Sequence, residues 1–203
     1  MIKIAENAGF CFGVKRAVGI AESYAEKGIP AVTLGEIIHN PTVVESLRRR
    51  GVLPIENIDE CPKGATVILR SHGVPLSVIE KLEEKGIPYE DATCPFVARI
   101  HKIVAERTAA GDVVILTGNP GHAEVKGIIG HAKGDVRVVR NLSELEKLTE
   151  NEKNLCANCY TLLSQTTFLR AEWEKCEKFS CTIIPRCDGG NRRGKRRLCS
   201  PSN

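Results

Sequence analysis

Two cysteines, Cys11 and Cys94, each lie in a loop directly before a predicted helix. Phe10 and Phe12 flank Cys11 and can shield a sulfur from water, and the basic helix start that follows favours a thiolate. Thiolates that are far apart in sequence can bind one iron–sulfur cluster, so the pair is a candidate for metal ligation. For Cys11 the alternative is a buried structural cysteine, which is the commoner state of a free thiol.

Three histidines share another position, at the carboxyl end of a predicted strand. His39, His72 and His122 each follow a short apolar run, and the hydroxyls of Thr166 and Thr167 follow another. Parallel α/β sheets place their working residues at this edge. Imidazoles, hydroxyls and helix N-termini all donate to anion oxygens, so the set predicts a pocket for a phosphate or diphosphate. For any single histidine, a hydrogen-bonded structural role is the alternative.

One carboxylate stands close to this set in sequence, because Glu124 comes two residues after His122. It can act as a proton donor if burial raises its pKa. The alternative is a carboxylate that only favours the dipole of a helix N-terminus. The sequence leaves both interpretations open.

The elements that would position these residues alternate between strand and helix. Apolar runs predict strands, and helical patterns lie between them; the runs are 31–34, 66–69, 113–116, 136–139 and 160–163. Gly35-x3-His39 and Gly118-x3-His122 each follow such a run, which indicates an internal duplication. The alternation predicts an α/β fold of repeated small parallel-sheet domains.

The predicted boundaries divide the chain into four parts. We expect an N-terminal strand and loop at 1–13, a first α/β domain at 14–92, a second at 93–180, and an irregular basic tail at 181–203. Within the second domain, Ser143 is predicted to cap a helix because a glutamate follows three residues later.

Composition excludes several classes of function. The 203 residues are 42% hydrophobic, which is enough for a real core, and the net charge of +4 is concentrated near the end of the chain, so no nucleic-acid partner is expected. The chain has no apolar signal region and no membrane-length run, so a cytoplasmic protein with no membrane partner is expected. Nine cysteines in such a protein indicate metal or redox chemistry. Cys156-x2-Cys159 is the one short spacing typical of zinc.

An ordered set of motifs resembles the 4-hydroxy-3-methylbut-2-enyl diphosphate reductases of the non-mevalonate isoprenoid pathway. The motifs are AGFCFGVKRAV at 8–18, GEIIHNP at 35–41, RSHGVP at 70–75, DATCPFV at 91–97, GNPGHAEVKG at 118–127 and SQTTF at 164–168. No one of them suffices, but their combined order makes the resemblance specific.

The resemblance implies a 4Fe-4S cluster bound by three cysteines, two of which match Cys11 and Cys94. It also implies that the substrate's diphosphate is surrounded by His39, His72, His122, Thr166 and Thr167, and that Glu124 relays a proton. The implied reaction is a reductive dehydroxylation of an allylic diphosphate to isopentenyl and dimethylallyl diphosphate. Electrons would come from a ferredoxin or flavodoxin.

After Trp173 the family's motifs are not intact, and a third domain would be largely missing around the central cluster and substrate cavity. Cys187, followed by an aspartate, is the remnant expected for the third ligand. A shifted reading frame would explain the basic ending, and we expect this chain to have low or no turnover. The alternatives are a basic tail that binds an acidic partner, and a non-catalytic α/β protein that binds phosphate or zinc.

Overall fold

The computed structural model describes residues 9–151 and 160–183. They form two compact units, Met1–Pro95 and Phe96–Asn203. The predicted first strand at Met1–Ala5 lies outside the described residues. Within the described part of the chain, no helix is long and apolar enough to cross a membrane.

The first unit is a four-stranded parallel sheet in the order β2-β1-β3-β4. In chain order its elements are α1 (Phe12–Lys27), β1 (Ala31–Leu34), α2 (Pro41–Arg49), β2 (Leu53–Ile55), a 3₁₀ turn (Ile58–Glu60), β3 (Thr66–Leu69), α3 (Leu76–Glu84) and β4 (Tyr89–Asp91). Sequence reasoning missed β2, which contains Pro54. A proline lacks the N–H of a strand and is tolerated here because β2 is at the edge of the sheet.

The second unit contains a three-stranded parallel sheet in the order β6-β5-β7. Its elements are α4 (Pro95–Ala109), β5 (Val113–Thr117), α5 (Ala123–Ile129), β6 (Val136–Val139), α6 (Leu142–Asn151), β7 (Tyr160–Ser164) and α7 (Arg170–Ile183). The predicted cap of α6 was wrong. Asn141, not Ser143, precedes the helix, and its side-chain oxygen accepts a hydrogen bond from the Glu144 N–H at 2.9 Å.

The inner strands β1, β3 and β5 are covered by apolar side chains on both faces, which explains why they appear as short, mainly apolar runs. In β3, Ile68 packs in the cluster with Ala17 and Ala21 of α1, whereas its neighbours Val67 and Leu69 pack on the opposite face. Strand β5 alternates in the same way between two clusters. The prediction of an α/β fold built from parallel sheets is confirmed.

Candidate functional site

Cys11 lies directly at the N-terminus of α1. The helix begins at Phe12, and Cys11 takes the N-cap position with φ −64° and ψ 166°. Its side chain makes no capping hydrogen bond and is exposed. The unpaired N–H groups of a helix start favour negative charge, so the position suits a thiolate.

Cys94 is packed against the same helix end. A Cβ atom added to Gly13 would lie only 2.5 Å from the Cys94 sulfur, so the first turn of α1 can approach this thiol only because residue 13 is glycine. The Cys94 N–H donates to the Ser71 carbonyl at 2.9 Å, and Ser71 in turn donates to Ile37. Cys94 is therefore tied to the loop that follows β3, and both candidate thiols lie at one end of the first unit.

Arg16 holds these two segments together, a role that sequence reasoning missed. The sequence suggested only that its charge adds to the helix start. In the structure its guanidinium donates to the Thr93 carbonyl at 3.1 Å and to the Asp91 carbonyl at 3.0 Å. The Asp91 side chain also accepts from the Thr93 N–H at 2.8 Å. The only sequence signal for this role was an arginine shortly after a candidate thiol. Its partners could not be predicted, because they lie more than seventy residues away in sequence.

His39 and His72 lie side by side in the first unit. Their ring centroids are 4.7 Å apart, with the planes tilted by 30°. The His39 Nδ1 atom is also 3.6 Å from a Glu36 carboxylate oxygen, and the His39 side chain is well exposed. Two adjacent imidazoles that both carried a proton would repel each other, and a bound anion would relieve that repulsion.

His122 begins α5 in the second unit. Its Nδ1 atom accepts a hydrogen bond from the Glu124 N–H at 3.1 Å, so the side chain caps the helix. Since Nδ1 is the acceptor, we assign the proton of the neutral ring to Nε2. The side chain thus has a fixed orientation and a donor at its far nitrogen.

Glu124 is a fully buried carboxylate in contact with Thr166. One carboxylate oxygen accepts the Thr166 N–H at 2.6 Å, and the other accepts the Thr166 hydroxyl at 2.8 Å. Burial raises the pKa of Glu124, and these two hydrogen bonds oppose part of that rise. The group is therefore better able to hold a proton near neutral pH than an exposed glutamate.

Gln165 connects the loops on either side of Glu124 and was not among the predicted site residues. Its side-chain oxygen accepts the Asn119 N–H at 3.2 Å, while its side-chain nitrogen donates to the Thr167 hydroxyl at 2.7 Å. Gln165 is itself buried. This bridge fixes the loop after β5 to the predicted substrate-binding hydroxyls after β7. A glutamine between hydroxyl residues at a strand end was the only signal for it.

The predicted third ligand, Cys187, lies outside the described residues, as do Cys156 and Cys159. Among the described cysteines of the second unit, Cys176 is buried in the apolar cluster around Trp173. Burial is the main reason that the pKa of the Cys176 thiol is raised to about 11. A neutral, enclosed thiol of this kind fits a structural role rather than metal ligation.

The fold and these side chains define a class: a protein of two parallel α/β units whose polar groups follow its strands and include an exposed and a half-buried thiol, paired imidazoles and a buried carboxyl. The family model described as LytB protein matches residues 2–202. The chain belongs to the LytB family.

Relatives and solved structures agree with this assignment. The chain is 43% identical over 177 residues to the 4-hydroxy-3-methylbut-2-enyl diphosphate reductase of Caldanaerobacter subterraneus subsp. tengcongensis. This alignment covers 85% of this chain and 59% of the relative. It is 44% identical over 156 residues to the Aquifex aeolicus enzyme of the same name, and this alignment covers 75% of this chain and 54% of the relative. The chain thus spans a little over half the length of these relatives.

Two solved structures share the fold. One is (E)-4-hydroxy-3-methyl-but-2-enyl diphosphate reductase, described as the terminal enzyme of the non-mevalonate pathway. It matches with a TM-score of 0.75 and 37% identity over 90% of this chain and 64% of its own. The other is the E-1-hydroxy-2-methyl-but-2-enyl-4-diphosphate reductase of Plasmodium falciparum. It matches with a TM-score of 0.78 and 27% identity over 88% of this chain and 57% of its own.

Proposed function

We propose that the chain carries the acid and two of the cluster ligands of a 4-hydroxy-3-methylbut-2-enyl diphosphate reductase. The substrate takes up two electrons and two protons, its allylic C–O bond breaks, and isopentenyl or dimethylallyl diphosphate and water leave. The observation that carries the proposal is the buried Glu124 in contact with Thr166, within a chain of this family.

Cys11 and Cys94 would hold a 4Fe-4S cluster, with Cys187 as the third ligand implied by the family motifs. Their chemistry fits, because both are thiols in loops that precede a helix and Gly13 leaves no side chain beside the Cys94 sulfur. When bound, the cluster supplies low-potential electrons and Lewis-acid assistance to the departing oxygen. Ferredoxin or flavodoxin as electron donor and a cytoplasmic location also belong to the proposal.

The protein's own groups would bind the substrate and supply a proton. His39 and His72 would donate to diphosphate oxygens, as would the Nε2 atom of His122 and the Thr167 hydroxyl. Glu124 would hold a proton because burial raises its pKa, and would pass it through the Thr166 hydroxyl to the departing oxygen.

Anaerobic reconstitution with iron and sulfide tests the proposal. We expect the visible absorbance of an iron–sulfur cluster, stoichiometric iron and sulfide, and slow formation of the two products from 4-hydroxy-3-methylbut-2-enyl diphosphate with reduced methyl viologen as the electron donor. A colourless protein that binds zinc instead of iron would favour the zinc-binding alternative and contradict the proposal.

A further inference from the structure

A cleft with a volume of about 320 Å³ lies at the carboxyl edge of the first sheet, and all of its lining residues belong to the first unit. It extends from Gly35, after β1, to Arg70, after β3, and to Lys81 on α3. Neither the candidate thiols nor the paired histidines line it. The volume lies at the lower end of the range found for small-molecule sites.

Arg70 is the unexplained group in this cleft. Its side chain lies over Gly35, where an added Cβ atom would come within 2.9 Å of a terminal guanidinium nitrogen. The Arg70 Nε atom is buried, and no hydrogen-bond acceptor for it is found among residues 9–151 and 160–183. Buried N–H donors in folded proteins nearly always have a partner, so this Nε–H is an exception, and the guanidinium that carries it belongs to a residue that lines the cleft.

The charges around Arg70 favour an anion. Burial lowers the pKa of the Arg70 guanidinium, and the Glu56 carboxylate opposes this from a distance. Lys81 adds a second positive charge to the lining, and its field also helps to lower the pKa of Asp59. Two cations therefore line the cleft against the single carboxylate of Glu56. A guanidinium presents paired donors that match the oxygens of phosphate and carboxylate groups.

Apart from Asn57 and Gly35, the other lining residues are apolar. Val74, Pro75 and Val78 line it on the side of α3, and Ile58 lines it from the 3₁₀ turn. Such walls provide no partners for a sugar or a base, but they can cover a short hydrocarbon. We propose that this cleft binds a small organic anion, with its phosphate or carboxylate group at Arg70 and Lys81 and a short apolar body against α3.

Calorimetric titration of the purified chain with n-butyl phosphate and with butyrate tests the proposal. We expect saturable binding of at least one probe, and the tighter probe identifies the head group. Arg70→Gln should weaken binding by about tenfold or more, since it removes a charge-assisted hydrogen-bond pair. Arg49→Gln is the matched control, because Arg49 is exposed and pairs with Glu45 on α2. Its affinity should match that of the unmodified chain.

Three further variants separate this cleft from other anion sites. Lys81→Gln should weaken probe binding, and Glu56→Gln should strengthen it by removing repulsion; His72→Asn shows how much of the binding belongs to the paired histidines. No saturable binding by the unmodified chain, or binding that His72→Asn removes and Arg70→Gln spares, would overturn the proposal. If Arg70→Gln does not fold, opposite shifts in Lys81→Gln and Glu56→Gln support the proposal, and equal affinities in these two variants overturn it.

Discussion

In both units the central strand ends in a glycine, and a histidine follows four residues later. The Gly35 N–H donates to the carbonyl of Ile55 at the end of β2, at 2.8 Å, and the Gly118 N–H donates to that of Val139 at the end of β6, at 2.9 Å. Each glycine is thus hydrogen-bonded to the end of the neighbouring strand in the same way. The units differ in what comes next.

The difference arises from the position of the helix cap. In the first unit Asn40 caps α2, and its side-chain oxygen accepts from two backbone N–H groups, which leaves His39 outside the helix and exposed. In the second unit His122 is itself the cap, so its ring is fixed by a backbone hydrogen bond. A shift of one residue in the helix start therefore changes a histidine from an exposed group into an oriented donor.

The residue two positions after each histidine also differs. Pro41 opens α2 in the first unit, whereas Glu124 lies in the first turn of α5 and is buried against Thr166. The first unit thus presents thiols and imidazoles at its sheet edge, and the second encloses a carboxyl group. The shared Gly-x3-His spacing therefore accompanies different chemistry in the two units.

Cysteine substitutions should have the largest effects, and these effects should differ between the two units. Cys94→Ser is expected to abolish iron and sulfide incorporation with little change in folding, since a serine removes the thiolate ligand. Cys176→Ser should retain iron but lower the free energy of unfolding by about 1–3 kcal/mol, because it buries a hydroxyl in an apolar cluster. Metal analysis and urea unfolding measure both. Wild-type iron content in Cys94→Ser would contradict the assignment of ligands to the first unit.

Glycine substitutions in α1 test the close approach of the helix to Cys94. Gly13→Ala places a Cβ atom 2.5 Å from the sulfur and should destabilise the first unit by about 1–3 kcal/mol. Gly19→Ala in the same helix is the control, since nothing lies within 4 Å of its added Cβ atom. It should stabilise the helix by about 0.5–1 kcal/mol. Circular dichroism during urea unfolding distinguishes the two; equal stability would argue against the contact.

Alanine substitutions at the two corresponding glycines, Gly35 and Gly118, should lower stability for different reasons. Gly35 has φ +71°, and the atom nearest to an added Cβ is a terminal nitrogen of the flexible Arg70 side chain, so Gly35→Ala should cost roughly 1–2 kcal/mol, chiefly in backbone strain. Gly118→Ala would place a Cβ atom 2.9 Å from Val125 and should cost about 1–3 kcal/mol in overpacking. Asparagine tolerates the left-handed region but is larger than alanine. In chemical unfolding, asparagine should therefore destabilise the protein more than alanine does at Gly118, and no more than alanine does at Gly35. The reverse order would contradict this distinction.

The inner strands could be predicted because both of their faces are covered, so β1, β3 and β5 are short, mainly apolar runs. Strand β2 could not, since Pro54 and the exposed Leu53 interrupt that pattern. Helix α7 was also missed, because it is rich in charge and its apolar contacts are made chiefly through Trp173 and Cys176.

Candidate site positions followed from the rule that polar residues gather at the carboxyl ends of parallel strands. The roles of Arg16 and Gln165 did not, because each depends on partners brought close only by the tertiary fold. A sequence shows where a strand ends, but it does not show which distant carbonyl or amide the fold brings beside it.

The smallest expected effect is a pH dependence that belongs to the second unit. Burial raises the pKa of Glu124 above its ordinary value of 4.5, so the folded state binds this proton more tightly than the unfolded state. Stability due to this group is therefore greatest below pH 4.5 and falls as pH rises through the raised pKa. Glu124→Gln should remove that decline. Fluorescence of Trp173, the single tryptophan, reports unfolding of the unit that contains both residues.

Glu172 provides a control of opposite sign in the same unit. The Leu142 N–H and Lys175 hold the pKa of Glu172 below its ordinary value. Its contribution is thus present above pH 4.5 and is lost as pH falls through the lowered pKa. Relative to wild type, Glu172→Gln should lose stability as pH rises to neutrality, while Glu124→Gln gains it. Parallel curves for the two variants would show that Glu124 is not protonated by burial, and the proton donor would then have to be sought elsewhere.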